Sequence, residues 1–130
     1  MDAEDYVPPD PPEVLAERGT AFWRTVTGSY AGWRADELEL LRETCVVLDR
    51  LDALAVAVER DGITTAGSKG QQRLHPALTE ARGLQTLLGR LLGQLGLEDE
   101  DGSVLPTPMA ARGRKGAEVK WLHDRRKFGG

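Results

Sequence analysis

The sequence predicts an all-α fold in which a short N-terminal helix precedes a long antiparallel helical hairpin. Three observations support this class. Hydrophobic residues make up 40% of the 130 residues but aromatic ones only 5%, so the apolar supply is mostly Leu, Ala and Val, which suits helices better than sheets. Apolar residues recur at helical spacing in three stretches. Pro or Gly stands at the ends of these stretches. A chain of this length forms one small domain that buries roughly two-thirds of its unfolded surface.

The first helix is predicted to begin within residues 10–13, which read DPPE. Asp10 is expected to cap it, Pro11 to take its first position and Glu13 to reach back toward the cap. Gly28 is expected to end the helix. The side chains predicted to face the core are Leu15, Phe22, Trp23 and Val26.

The second helix is predicted over residues 36–61, with Gly62 as its left-handed stop. Its length is about 40 Å. It carries two apolar stripes at heptad spacing that start roughly 200° apart. The first stripe contains Leu38, Leu41, Cys45, Leu48 and Ala55. The second stripe contains Leu40, Val47, Leu51, Leu54 and Val58.

A helix that is apolar on two sides must be covered on two sides. We expect one cover from the third helix of the same chain and the other from further copies of the chain. The sequence therefore predicts a homo-oligomer. The pattern leaves open which stripe faces the neighbouring subunit, and the second stripe is taken as the candidate oligomer interface.

A polar, Gly-containing loop is predicted over residues 63–74, after which His75 and Pro76 restart the chain as a third helix. His75 is expected to cap this helix, and Gly96 to close it. Its apolar stripe contains Leu78, Ala81, Leu84, Leu88, Leu91 and Leu95. The second and third helices are expected to form an antiparallel hairpin, with the first helix packed against one end.

Charge is unevenly distributed along the chain. Residues 1–13 contain five acids and no Lys or Arg, whereas residues 109–130 contain seven Lys or Arg against two acids. We divide the chain into an acidic N-terminal tail of residues 1–10, a helical oligomerisation domain of residues 11–97 and a flexible tail of residues 98–130 that ends in a basic segment. A basic tail on an acidic body is typical of a nucleic-acid contact, and its alternative is a solvated, disordered end.

The candidate DNA-binding residues are the basic side chains of this tail, with two more in the predicted loop as a lesser patch. They are Lys69, Arg73, Arg112, Arg114, Lys115, Lys120, Arg125, Arg126 and Lys127. We expect mainly phosphate contacts, which carry no base information.

No enzymatic or nucleotide-binding pattern is complete. The loop nearly fits a phosphate-binding P-loop, but Ser68 adds a residue between Gly67 and Lys69, and the chain before it is helical where a strand is required. ATP binding is therefore rejected. Asp49 and Asp52 lie three residues apart and can share a proton or a cation, although pairing with Arg or with a partner subunit is the commoner use of such acids.

Metal, thiol and membrane chemistry are likewise not predicted. The two histidines, His75 and His123, lack the spacing of a metal pair, and Cys45 is the only cysteine. Residues 1–10 do not resemble a signal peptide, and no apolar run approaches 18 residues. The sequence predicts a cytoplasmic protein that is not an enzyme and needs no cofactor or metal.

The ordered set of these features resembles a known family. The first two helices resemble those of the small terminase subunit of tailed bacteriophages. The first helix carries Gly19 with Phe22-Trp23, and the long second helix carries Leu41, Cys45 and Asp49 and is closed by Gly62. The Gly70 loop, the His75-Pro76-Ala77-Leu78 restart and the Leu95-Gly96-Leu97 ending complete the resemblance, which covers residues 11–97. Within this family, the chain resembles the branch that lacks a recognisable N-terminal winged or helix-turn-helix module.

The resemblance implies a function. Small terminase subunits assemble into rings, bind double-stranded viral DNA at the packaging start and present it to the large subunit, which is the ATPase and nuclease. It implies a non-catalytic regulator in the bacterial host cytoplasm. Two alternatives remain: a helix-turn-helix transcription regulator, although the second helix is far longer than a recognition helix, and a helical scaffold or adaptor without a nucleic-acid role.

Overall fold

The structure, a computed structural model, describes residues 5–97 and the backbone of residues 105–106. Three helices dominate it, which confirms the predicted helical class. The elements in chain order are α1 (Glu17–Ser29), β1 (Tyr30–Ala31), α2 (Ala35–Asp61), β2 (Thr64–Ala66), β3 (Gln72–Leu74), α3 (Pro76–Leu95) and β4 (Leu105–Pro106).

The predicted start of the first helix is wrong. The helix begins at Glu17 with Ala16 as its N-cap residue, not at Asp10. The cause is the cluster of prolines at positions 8, 9, 11 and 12, because a residue that precedes proline is disfavoured in the α conformation. Residues 5–16, which precede the helix, form an N-terminal arm instead.

The N-terminal arm lies along α1 and is tied to it by two side-chain hydrogen bonds. Trp23 Nε1 donates to the carbonyl oxygen of Pro9 at 2.9 Å. Tyr6 Oη donates to the carbonyl oxygen of Thr27 at 2.8 Å. Part of the predicted acidic tail therefore contacts the helical body.

The end of α1 also differs from the prediction. Gly28 lies inside the last turn, and the helix continues to Ser29, whose hydroxyl donates to the carbonyl oxygen of Thr25 at 2.8 Å. The backbone N–H of Tyr30 closes the helix on the carbonyl of Val26.

The long helix α2 matches its prediction to within one residue. Its first turn is closed by the Glu37 carboxylate, which accepts from the backbone N–H of Arg34 at 3.0 Å. Its end is Gly62, with φ of 85°, whose N–H donates to the carbonyl of Val58 at 2.7 Å. Glycine adopts this backbone conformation without steric cost.

The two stripes of α2 are both covered by the chain itself over much of their length. On the first stripe, Leu41 and Cys45 are fully buried against Trp23 and Val26 of α1. On the second stripe, Val47 is 1% exposed and packs with side chains of α3. The partly buried hydrophobic residues packed against this second cluster are Leu40, Leu51, Leu54 and Leu88, and its buried members from α3 are Leu84 and Leu91.

This packing covers part of the second stripe, which was predicted as a subunit interface. Val47 has no surface left for a neighbouring copy, and Leu40, Leu51 and Leu54 already contact the chain's own hydrophobic cluster. The apolar character of these residues is explained by α3. Oligomer formation itself stays a prediction.

The third helix is as predicted. His75 Nδ1 accepts from the backbone N–H of Ala77 at 3.0 Å, Pro76 is the first helical residue, and Gly96 ends the helix in the left-handed conformation with φ of 63°. Leu95 joins the cluster around Leu41, so α3 ends beside the first half of α2. The predicted antiparallel hairpin is therefore confirmed.

Two short sheets were not predicted. Residues 63–74 form a β-hairpin and not an irregular loop, with Thr64, Thr65 and Ala66 paired to Leu74, Arg73 and Gln72. At the other end of α2, β1 pairs in parallel with β4, Tyr30 opposite Leu105. The strand β4 belongs to the segment of residues 98–130 that was predicted to be a flexible tail.

Candidate nucleic-acid interface

The β-hairpin of residues 63–74 is the part of the described chain that carries predicted DNA-binding residues. It connects α2 to α3 and projects from the end of the helical pair. Every residue in it is exposed except Thr65 and Gly67, which are half-buried. Lys69 lies in the turn at the tip, and Arg73 lies on β3 opposite Thr65.

The turn at the tip is closed by three hydrogen bonds. The N–H of Gly67 donates to the carbonyl of Gln71 at 2.6 Å, and the N–H of Gly70 donates to the carbonyl of Gly67 at 3.0 Å. The N–H of Lys69 donates to Gln71 Oε1 at 3.0 Å. Gly70 has φ of 78°, a conformation that favours glycine. The Lys69 backbone is therefore held in place.

One face of the β-hairpin brings Gln71 and Arg73 together over Gly67. A Cβ atom at residue 67 would lie 2.6 Å from Arg73 Cδ and 2.7 Å from Gln71 Nε2. Gly67 thus leaves the space that these two side chains occupy. Sequence analysis missed Gln71, and its two-residue spacing from Arg73 becomes a signal only when the segment is recognised as a strand.

The base of the β-hairpin is joined to both helices. The N–H of His75 donates to the carbonyl of Ile63 at 2.7 Å. Because His75 Nδ1 accepts from Ala77, Nε2 carries the proton and donates to Asp61 Oδ2 at 2.9 Å. Arg60 Nε donates to the same carboxylate at 2.8 Å. The hydrogen bonds from Arg60 and then His75 hold the pKa of Asp61 well below its usual range.

The charge of the β-hairpin is positive. Residues 63–74 contain Lys69 and Arg73 and no carboxylate. Within residues 5–97, neither cation forms an ion pair, in contrast to Arg18, Arg34 and Arg60. A cationic, carboxylate-free ribbon of this kind is suited to an anionic partner such as the phosphate backbone of DNA.

The last described residues before the predicted tail patch, those of β4, lie at the opposite end of α2 from the β-hairpin. The chain returns through β4 to β1, immediately before α2, whereas the β-hairpin follows α2. The helix has 27 residues, a length of about 40 Å. The seven basic tail residues that are predicted to contact DNA lie outside the described residues: Arg112, Arg114, Lys115, Lys120, Arg125, Arg126 and Lys127.

Asp49 and Asp52 do not form a shared acid site. The Asp49 carboxylate accepts from the backbone N–H of Ala16 at 2.7 Å and of Gly19 at 2.6 Å. It caps α1, whose own N-cap residue offers no side-chain acceptor. Asp52 pairs with Arg18 at 2.8 Å, and both side chains are about half exposed. Both acids are explained by the packing of α1.

Cys45 lies beneath this cap. Burial, with the negative charge of Asp49 as a second cause, raises the pKa of its thiol to about 12. The thiol is therefore protonated at neutral pH and is a core residue, not a nucleophile.

An apolar groove runs between the second half of α2 and the first half of α3. Its volume is about 570 Å³. Arg18 and Asp52 lie at the end of the groove that adjoins α1. The main apolar residues of the groove are Leu51, Leu54, Val58, Leu78, Ala81 and Leu88. Val58, a predicted interface residue, thus lines an open surface.

Comparison of the chain with known protein families, curated proteins and solved structures finds no match. In the part of the chain that the structure describes, no helix is both long and apolar enough to cross a membrane. Over the same residues, no three His, Cys, Asp or Glu side chains are grouped to hold a metal ion.

Proposed function

We propose that the protein is a non-catalytic DNA-binding subunit of the small-terminase type. In this function it binds double-stranded viral DNA at the packaging start and recruits or regulates the large ATPase/nuclease subunit, in the bacterial host cytoplasm. The observation that carries the proposal is the cationic β-hairpin, which is held at the end of the α2–α3 pair by the hydrogen bonds of His75 with Ile63 and Asp61.

The proposal also includes self-assembly into a homo-oligomer, which the apolar groove supports. Half-buried Leu and Val side chains line it, and a face of this kind is typical of an interaction surface. A homo-oligomeric ring would place one β-hairpin per subunit around one DNA. Many weak contacts on the same DNA then act at high effective concentration. Of the predicted interface residues, Leu51, Leu54 and Val58 line this groove, and the proposed interface is limited to this part of the stripe.

The basic tail supplies a further contact in this proposal. Its Lys and Arg side chains would contact phosphates of the same DNA. In the competing assignment they contact the large subunit instead. Removal of the chain from Met109 onward would then weaken binding to every duplex sequence and leave the oligomer intact, since the groove is lined by Arg18 and by side chains of residues 51–88.

The test is the native mass of the full-length chain at micromolar concentration, alone and with a duplex of the viral end region. The proposal expects an oligomer that gains the mass of the duplex. A monomer under both conditions would refute the ring, and an oligomer that never binds duplex would refute the DNA role and favour the scaffold alternative. A dimer on a two-fold symmetric duplex would favour the transcription-regulator alternative.

A further inference from the structure

We propose that the β-hairpin enters the major groove of duplex DNA and that Arg73 and Gln71 contact base edges there. This inference rests on the proposed function and goes beyond the phosphate contacts expected from the sequence. It assigns choice of DNA sequence, at least in part, to two neighbouring side chains of β3 and its turn.

The dimensions of the β-hairpin fit this groove. The major groove of B-DNA is about 12 Å wide and about 8.5 Å deep, and it admits a two-stranded ribbon. Each strand has three residues, β2 before the turn and β3 after it. At about 3.3 Å per residue, strand and turn together extend roughly 15 Å, which exceeds the depth of the groove. The exposed tip and strands leave the ribbon free to enter.

The two side chains carry the right donors for base edges. An Arg guanidinium binds guanine O6 and N7 through two parallel hydrogen bonds, and a Gln carboxamide binds adenine N6 and N7 in the same way. Gln71 Oε1 already accepts from the N–H of Lys69, but a carbonyl oxygen keeps a second lone pair, and both Nε2 hydrogens remain donors.

Gln71 and Arg73 are also placed together before DNA arrives. Both pack over Gly67, and the hydrogen bond from Lys69 fixes the orientation of the Gln71 amide. A polar group held in its binding geometry loses less conformational entropy on binding. Lys69, at the tip, is a flexible point charge and is the phosphate contact of the group.

The experiment is selection by the full-length chain from a duplex library with 12 random base pairs. The wild-type chain is expected to enrich a short motif that contains guanine. Arg73→Lys keeps the charge but loses the planar fork, so discrimination at that guanine is expected to fall roughly tenfold. Gln71→Ala is expected to relax a neighbouring position.

Lys69→Ala is the matched control on the same turn. It should weaken binding to all duplexes alike and leave the enriched motif unchanged. All three side chains are exposed, so the fold is expected to survive each change, and circular dichroism checks this. Binding without any enriched motif, or a motif unchanged in Arg73→Lys and Gln71→Ala, would overturn this inference and leave the proposed function standing. Failure to bind any duplex would overturn the proposed function itself.

Discussion

Asp49 Oδ1 accepts a hydrogen bond of 2.6 Å from the backbone N–H of Gly19, and this contact joins α1 to α2. A Cβ atom at residue 19 would overlap Asp49 Oδ2 and would lie 2.7 Å from the carbonyl oxygen of Cys45. The missing side chain lets the carboxylate reach the amino end of α1. There it replaces the cap that Ala16 cannot provide.

Gly19→Ala should therefore destabilise the protein by about 1–3 kcal/mol, because the new methyl group forces the two helices apart. The control is Gly28→Ala in the same helix, where a Cβ meets no atom within 4 Å. There the higher helix propensity of Ala should stabilise the fold by about 0.5–1 kcal/mol. Urea denaturation measures both changes. Equal effects of the two substitutions would refute the role of Gly19.

Asp49→Ala should cost about 1–2 kcal/mol, since it leaves two backbone N–H groups of α1 without their acceptor. Asp52→Ala is the comparison, because it removes a carboxylate from the next turn of α2 whose pair with Arg18 is about half exposed. Such a surface pair contributes at most about 1 kcal/mol. The urea midpoints of the two variants decide the matter, and a larger loss in Asp52→Ala would contradict the capping assignment.

These contacts mark the limit of what the sequence predicts. The bounds of α2 and α3 are set by neighbours in the chain: Gly62, the His75-Pro76 pair and Gly96 each act within one helical turn, so they are visible as local patterns. The prolines exclude a start of α1 at Asp10, but its start at Glu17 is set by the distant carboxylate of Asp49 and by the arm that Trp23 holds. Neither interaction leaves a signal near Ala16.

In the candidate site, too, some residues are visible in the local sequence and others are placed only by tertiary contacts. Lys69 and Arg73 are recognisable as cations between helices. Gln71 gains its place beside Arg73 only through the pairing of β2 with β3, and strands of three residues are too short to show a reliable alternation. The second stripe of α2 was correctly identified as apolar, but periodicity does not say whether α3 or another copy covers it.

The Cys45 thiol should be unreactive in the folded protein. Its pKa is raised to about 12, against about 8.5 for a free thiol. Because the folded state holds this proton more tightly, the stability it contributes is complete below about pH 8.5 and is lost as the pH rises through the folded value. A thiol reagent at pH 8 should label the chain only after denaturation. Rapid labelling of the native chain would contradict the burial of Cys45.

Val58→Asp should break the oligomer, because it places a carboxylate in the apolar groove that we propose as the contact between copies. Burial of an uncompensated charge costs roughly 2 kcal/mol or more, which corresponds to a rise of about thirtyfold or more in dissociation constant. Val56→Asp is the control, since Val56 is 61% exposed on α2 and does not line the groove. Sedimentation velocity, with circular dichroism to verify folding, separates the two. An unchanged oligomer in Val58→Asp would refute this interface.

The most direct test of the central claim, that the β-hairpin binds DNA, is the duplex affinity of the full-length chain across a salt series. Lys69→Ala/Arg73→Ala is compared with Arg82→Ala/Arg90→Ala, which removes the same charge from exposed positions of α3. We predict that the hairpin variant loses affinity and that its log–log salt slope falls by about 0.9 for each lost phosphate contact, while the α3 variant stays close to wild type. Equal affinities and slopes for the two variants would contradict the claim.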